Sequence, residues 1–265
     1  MKYSICIENF YRGLNFEDKF AAAKRDGFEY CEFWTWKDRN WGGVKKAIAN
    51  SGIEIAAFSG DDEYSLINPD ENSLYIDFLR RSIEKAREIH CSYLVIHSDA
   101  LNKDGSAKEV DKPLSYEVKL LNMYKVLESI APFAEKEDVT LVLEPLHTRL
   151  GEPRAHKNYF LEYPQPAFDL TRQVGSDRVK VLYDVYHMQL MAGNVINTLG
   201  KNIDQLGYIH LADVPGSHEP GTGELNYNYI LKALDSMGYT GFVGFELHPI
   251  KTDEKAFEAI KEIWI

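Results

Sequence analysis

Four residues stand where short apolar runs end: Glu144 in "VLEP", Asp184 in "LYDVYH", His210 in "YIHLAD" and Glu246 in "GFELHP". Each is of a type that binds divalent cations or moves protons, and each closes a run that reads as a buried strand. Alternation along a strand puts Val142 with Glu144, Leu182 with Asp184, Tyr208 with His210 and Gly244 with Glu246 on one face. Three carboxylates turned into one space repel one another, and a bare carboxylate at the end of a buried strand is costly unless something pairs with it. A shared divalent cation removes both penalties. Oxygen donors plus one imidazole suit Mn²⁺, Mg²⁺ or Co²⁺. A single acid at a strand end is ordinarily a helix cap or an ion-pair partner; four ligand-type residues at matching depth on consecutive strands point instead to a metal.

Around these four lie further candidates for the substrate. His187, three residues past Asp184, can bond a substrate hydroxyl; His97, at the end of "VIHSD", His218 and His248 are similar; Arg149 can meet an anionic group. Trp34, Trp36 and Trp41 offer either aromatic faces for a small sugar or plain packing. "HEPGTGELNY" (218–227) has glycines for tight turns and Asn226 as a helix cap, with Glu219 free to pair with Arg149 or face solvent. Alone it is a weak phosphate signal.

These residues must be carried by regular elements, and periodicity supplies them. Strand-like runs at 3–9, 30–34, 53–60, 92–98, 140–146, 179–185, 207–213 and 241–247 alternate with helix-like segments at 16–27, 42–51, 71–90, 115–137, 165–174, 194–204, 227–238 and 253–263. Eight short strands, apolar on both faces as buried parallel strands are, and eight helices predict one (β/α)8 TIM barrel spanning 1–265 as a single domain. A doubly wound sheet would favour a glycine-rich fingerprint after the first strand, and none is there. Active sites of such barrels sit at the C-terminal ends of the strands, where all four ligand-type residues fall. The long connections 99–114 and 147–163 also follow strands, and are expected on that rim.

Composition narrows the partners. The 265-residue chain is 45% hydrophobic and 27% charged, as a globular protein is. Its net charge of -11 argues against nucleic acid. No run is long and apolar enough for a membrane span, and Glu8, Asn9 and Arg12 interrupt the first apolar stretch too early for a signal peptide. Cys6, Cys31 and Cys91 are widely spaced and read as core residues, without a zinc or disulfide pattern. A cytoplasmic protein with a small-molecule substrate is expected, with homo-oligomerisation left open.

The segments "EPL" (144–146), "YDVYHMQLMAGN" (183–194), "IHLADVPGSHEPGTGELNYNYI" (209–230) and "GFELHP" (244–249), with "FAAAKRDGFEYCEF" near the start, resemble the hydroxypyruvate isomerase family. That family lies among the xylose-isomerase-like TIM barrels, with ketose 3-epimerases and endonuclease IV as relatives. The resemblance implies a divalent metal, proton transfer by Glu144 and Glu246, and Asp184 as a metal ligand. Two positions depart from the familiar bacterial pattern: His210 stands in place of Gln, as in the ketose 3-epimerases, and His248 in place of Lys. The chemistry implied is an enediolate isomerisation, in which a substrate carbonyl polarised by the cation acidifies the neighbouring C–H and two acid/base groups redistribute the protons. The substrate expected is a carbohydrate or hydroxy-keto acid, most like hydroxypyruvate going to tartronate semialdehyde. A ketose 3-epimerase would use the same site. A phosphodiesterase of the endonuclease IV kind would need more histidines and a basic face, and a non-catalytic sugar-binding barrel would need no metal.

Overall fold

The computed structural model describes residues 1–265. The apolar runs become eight strands: β1 (Lys2–Cys6), β2 (Tyr30–Phe33), β3 (Glu54–Ser59), β4 (Tyr93–Ile96), β5 (Thr140–Leu143), β6 (Val179–Asp184), β7 (Leu206–Leu211) and β8 (Phe242–Phe245). They pair in parallel in chain order, and β1 closes on β8, so the sheet is a barrel without edges. The helices are α1 (Phe16–Arg25), α2 (Trp41–Ser51), α3 (Asn72–Glu88), α4 (Tyr116–Glu137), α5 (Pro164–Val174), α6 (Val185–Met191), α7 (Val195–Lys201), α8 (Tyr227–Ser236) and α9 (Asp253–Glu262). The (β/α)8 expectation therefore holds.

Side-chain alternation divides the core in two. A small cluster inside the barrel contains Ala57, Val95, Val142, Leu182, Tyr208 and Phe242. Their strand neighbours Leu141, Leu143, Val181, Tyr183, Ile209 and Leu211 belong to the large cluster between sheet and helices. Glu144, Asp184, His210 and Glu246 lie two or four residues beyond Val142, Leu182, Tyr208 and Phe242, so they share the inward parity. The three cysteines are buried and unpaired, as core residues.

The structure corrects the helix count. A ninth helix, α6, begins at the residue after β6 and is one the periodicity did not separate from the strand. The one polar break at its start is Asp184, which as the last residue of the strand reads as a site residue and not as a helix cap. Asp184 Oδ1 accepts from the backbone N–H of Tyr186 (2.8 Å) and of His187 (3.2 Å). Several strands are also shorter than the apolar runs that encode them; β5 stops at Leu143, where 140–146 was expected. No helix is long and apolar enough to cross a membrane.

Two rim connections are tied to each other. The Ala107 N–H donates to Lys157 O (2.9 Å), His156 Nδ1 lies 2.9 Å from Gly105 O, and Asp99 Oδ2 accepts from Phe160 N–H (2.9 Å). The glycine-rich loop after β7 has a different use from the one its composition hinted at. The buried Asp213 carboxylate accepts from the backbone N–H groups of Val214, Gly221, Thr222, Gly223 and Leu225 at 2.8–3.2 Å. The anion cradled there is the protein's own. Gly223 is required because a Cβ would lie 2.0 Å from Val214 O. Asn226 caps α8 as expected, accepting from Tyr229 N–H at 3.1 Å. Asp213→Ala is expected to destabilise the protein by about 3 kcal/mol, since it strands several buried donors at once; urea denaturation of the two proteins measures this.

Candidate metal centre and active site

At the C-terminal mouth of the barrel Glu144, Asp184, His210 and Glu246 each present one ligand atom, all within 4.8 Å of one another. All four residues are buried. Glu144 and Glu246 each follow directly on the last residue of β5 and β8, Asp184 ends β6, and His210 lies within β7. Glu144 Oε1, Asp184 Oδ2 and His210 Nδ1 are buried without a hydrogen-bond partner. Orphaned polar atoms of this kind, converging from four strands, fit a divalent cation of the Mn²⁺ or Mg²⁺ class. Asp184 thus serves twice: one oxygen caps α6 and the other faces the cluster.

The neighbours fix each donor. His210 Nε2 lies 3.2 Å from Glu32 Oε1, and its Nδ1 lies 3.5 Å from both Glu144 Oε1 and Glu246 Oε2. The imidazole therefore turns Nδ1 toward the carboxylates and Nε2 toward Glu32. Glu32 is itself held by Ser4 Oγ (3.0 Å) and the Tyr208 hydroxyl (2.5 Å). Gly244 is needed beside them, because a Cβ there would sit 2.6 Å from Glu32 Oε1. This is the arrangement in which a second carboxylate orients a metal-binding histidine.

Glu246 accepts from Trp34 Nε1–H through Oε1 (2.6 Å) and from Arg154 Nη2–H through Oε2 (2.5 Å). Burial works to raise its pKa, but Arg154 and then His210 outweigh it and hold the carboxyl well below the usual range. Burial likewise opposes ionisation of Glu144, which His210 and His97 overcome. Burial pushes Asp184 up to about 7, against the attraction of Arg154. His210 is pushed well above its ordinary value, burial notwithstanding, by Glu32, Glu144 and Glu246. These directions describe an acidic pocket that holds protons and a guanidinium as its cations, the role a divalent ion fills better.

The other candidates separate. His97 is bound to Asp61 through Nδ1 (2.9 Å), with Nε2 3.5 Å from Glu144 Oε2; Asp61 is in turn held by the Tyr75 hydroxyl (3.0 Å). Burial opposes its charge, yet Asp61 and then Glu144 push the imidazole up to about 10, so it supports Glu144 as a cation. His187 is fully buried; Nδ1 accepts from His147 N–H (3.2 Å) and Nε2 lies 3.6 Å from Asp184 Oδ2. It sits beside the ligand cluster and does not line the mouth. His248 lines the mouth and accepts from Asn9 Nδ2–H (3.3 Å), whereas His218 donates to His248 O (2.6 Å) from outside it. Arg149 is a correction: it is exposed and outside the cavity, and it does not meet Glu219, whose Oε2 accepts from Ile250 N–H (3.1 Å). Arg154, five residues on, enters the site instead. Trp34 takes a polar part through its indole N–H, while Trp36 and Trp41 pack against the core. The cavity above the cluster holds about 620 Å³ and is bordered by Trp34, Glu144, Arg154, His156, His210 and Glu246.

Sequence reasoning missed Glu32, Asp61 and Arg154. Glu32 carried a usable signal, being the one acidic residue inside an otherwise apolar strand run, "YCEFW". Arg154 carried none, because an irregular loop has no period from which its direction can be read.

A closed parallel barrel with a buried acidic cluster at the C-terminal mouth is the architecture of a known class of proteins. Residues 20–263 match the family model described as xylose isomerase-like TIM barrel. Hydroxypyruvate isomerase of Escherichia coli (strain K12) is 40% identical over 264 residues, covering 96% of each chain. 2-Oxo-tetronate isomerase of Cupriavidus necator is 29% identical over 94% of this chain and 93% of its own. Among solved structures, a family 2 AP endonuclease from Brucella melitensis superposes with a TM-score of 0.87 at 22% identity, covering 98% of each chain, a likeness of fold. The chain belongs to the xylose isomerase-like TIM barrel family and, within it, to the hydroxypyruvate isomerase family, and it is an isomerase.

Replacing Glu32 by Gln removes the charge behind His210 and leaves the barrel's packing intact. Mn²⁺ affinity, measured by calorimetry, is expected to fall about 10- to 100-fold with little change in melting temperature.

Proposed function

We propose that this isomerase is divalent-metal-dependent and interconverts a small hydroxy-keto acid of the hydroxypyruvate kind with its aldehyde isomer, tartronate semialdehyde, through an enediolate. The observation that carries this reading is the pair Glu144 and Glu246, each 3.5 Å from His210 and bordering one cavity of small-molecule size. The similarity to the Escherichia coli hydroxypyruvate isomerase supports the same substrate class.

Glu144, Asp184, His210 and Glu246 would hold a divalent cation, which would supply Lewis acidity at the substrate carbonyl. Proton movement falls to the chain's own residues. Glu246, kept ionised by Arg154 and with Trp34 on its other oxygen, accepts the proton from the hydroxymethyl carbon. The C–H electron pair becomes the carbon–carbon double bond, and the former carbonyl oxygen takes the charge. Return of a proton to the adjacent carbon gives the aldehyde isomer. Glu144, with the His97 imidazolium behind it, carries the hydroxyl proton from one oxygen to the next, so that no proton is gained or lost overall. Burial of the cluster under the rim loops keeps water away from the enediolate.

The test is turnover of hydroxypyruvate in deuterated water by protein stripped with chelator and reloaded with Mn²⁺ or Mg²⁺. Activity is expected only after reloading, with solvent deuterium on the product carbon. Glu246→Gln is expected to lower kcat by about 1,000-fold or more while Mn²⁺ still binds, and Asp184→Ala to lose Mn²⁺ itself. Product without carbon-bound label, together with full retention of deuterium from substrate labelled at the hydroxymethyl carbon, in Glu246→Gln as in wild type, would point to hydride transfer instead of the enediolate. Preferential turnover of neutral ketoses, with label at the epimerised carbon, would replace this reading by the ketose 3-epimerase one.

A further inference from the structure

We infer that Arg154 is the residue that selects an anionic substrate: its guanidinium offers a free N–H edge to a carboxylate lying next to the reacting carbons. The inference rests on the isomerase reading above and names what part of the substrate this chain reads.

The geometry begins with the backbone. Arg154 follows Pro153, whose carbonyl accepts both from Tyr186 Oη–H (2.7 Å) and from His147 Nε2–H (2.9 Å). Arg154 itself has φ +59°, an unusual left-handed conformation for a side chain of this size. The loop is thus fastened from two sides and aims the arginine into the mouth. There Nη1 donates to Ser217 Oγ (3.2 Å) and to Glu246 O (2.9 Å), and Nη2 donates to Glu246 Oε2 (2.5 Å). Asp184 Oδ2 lies 4.0 Å from Nη1. One side chain therefore clamps the loops after β5, β7 and β8.

A guanidinium carries five N–H groups in a rigid fork. Three are used. Nε–H and the second hydrogen of Nη2 have no protein partner, and the residue borders the cavity with its side chain 15% exposed. Two adjacent donors on a fixed plane match the two oxygens of a carboxylate, which is why arginine reads carboxylates where lysine only attracts them. No other cation beside the cluster has donors to spare. His97 is committed to Asp61 and Glu144, His156 donates through Nδ1 to Gly105 O (2.9 Å), His248 Nδ1 accepts from Asn9, and Lys103 stands on the exposed outer rim. Charge favours the same conclusion. With a divalent ion bound, the three carboxylates Glu144, Asp184 and Glu246 leave one negative charge, which Arg154 cancels, so the arginine removes the repulsion a substrate carboxylate would meet from the ligands themselves.

The experiment uses two non-reacting probes of nearly the same shape, D-glycerate and glycerol, on the Mn²⁺-loaded full chain, read by water-proton relaxation. The wild type is expected to prefer glycerate. Arg154→Met is expected to lose about 10- to 100-fold in glycerate affinity, with glycerol unchanged and Mn²⁺ bound as tightly or more tightly, since a competing cation is gone. Arg154→Lys should fall between the two. A Lys103→Ala control should keep glycerate binding within about twofold, as expected of an exposed charge. Unchanged glycerate binding in Arg154→Met, equal loss of both probes, or loss of Mn²⁺ would overturn the assignment, as would transfer of the effect to Lys103→Ala. Because the readout is binding, it stands even where hydroxypyruvate proves not to be turned over, which would count against the proposed reaction alone.

Discussion

Like charge forced into one buried space is the constraint on which this molecule turns. Three carboxylates with donor atoms no more than 4.8 Å apart repel pairwise. At an effective dielectric near 20 each such pair costs about 3–4 kcal/mol, so three pairs approach about 10 kcal/mol, comparable to the whole stability of a typical domain. The fold tolerates this only because cations converge on the same point: His210 from β7, His97 behind Glu144, Arg154 from the rim. Each is in turn held by something else, whether Glu32, Asp61 or Ser217. What looks like a set of separate polar contacts is one charge-balancing shell around a site suited to a divalent ion.

That view also explains why the supporting residues are so deeply built in. Glu32 occupies the strand interior and requires a glycine at 244 to make room. Asp213 spends its whole carboxylate on the loop after β7, from which Ser217 and His218 reach Arg154 and the end of β8. Glu32 and His210 are carried by strands and the rim residues are tied down by further hydrogen bonds, and donors positioned in advance are what a reaction with a developing oxyanion exploits.

The strand-borne part of the site was legible because a strand has a period. Parity alone put Glu144, Asp184, His210 and Glu246 inward; the ladder pairs Asp184 with His210 and His210 with Gly244, so it is the stagger of a closed barrel that brings Glu144 and Glu246 to the same mouth. The barrel followed from the same alternation. What escaped had no period to betray it. Helix α6 starts right after Asp184, and that one residue ends the strand, faces the cluster and caps the helix, so its role as a helix start was hidden behind its role as a site residue. The loop 147–163 offered two arginines, and only tertiary anchoring at Pro153 decides that Arg154 enters while Arg149 stays out. The glycines at 221 and 223 do cradle an anion, but one supplied by Asp213, which sequence distance conceals.

The central claim is that four strand-end groups share one divalent ion. Anomalous diffraction from a crystal grown with Mn²⁺ tests it most directly. The account predicts a single strong peak bonded to Glu144, Asp184 Oδ2, His210 Nδ1 and Glu246, with Asp184 Oδ1 still capping α6. A peak held instead by His147, His156 and His187, or no peak at the mouth at saturating Mn²⁺, would contradict it.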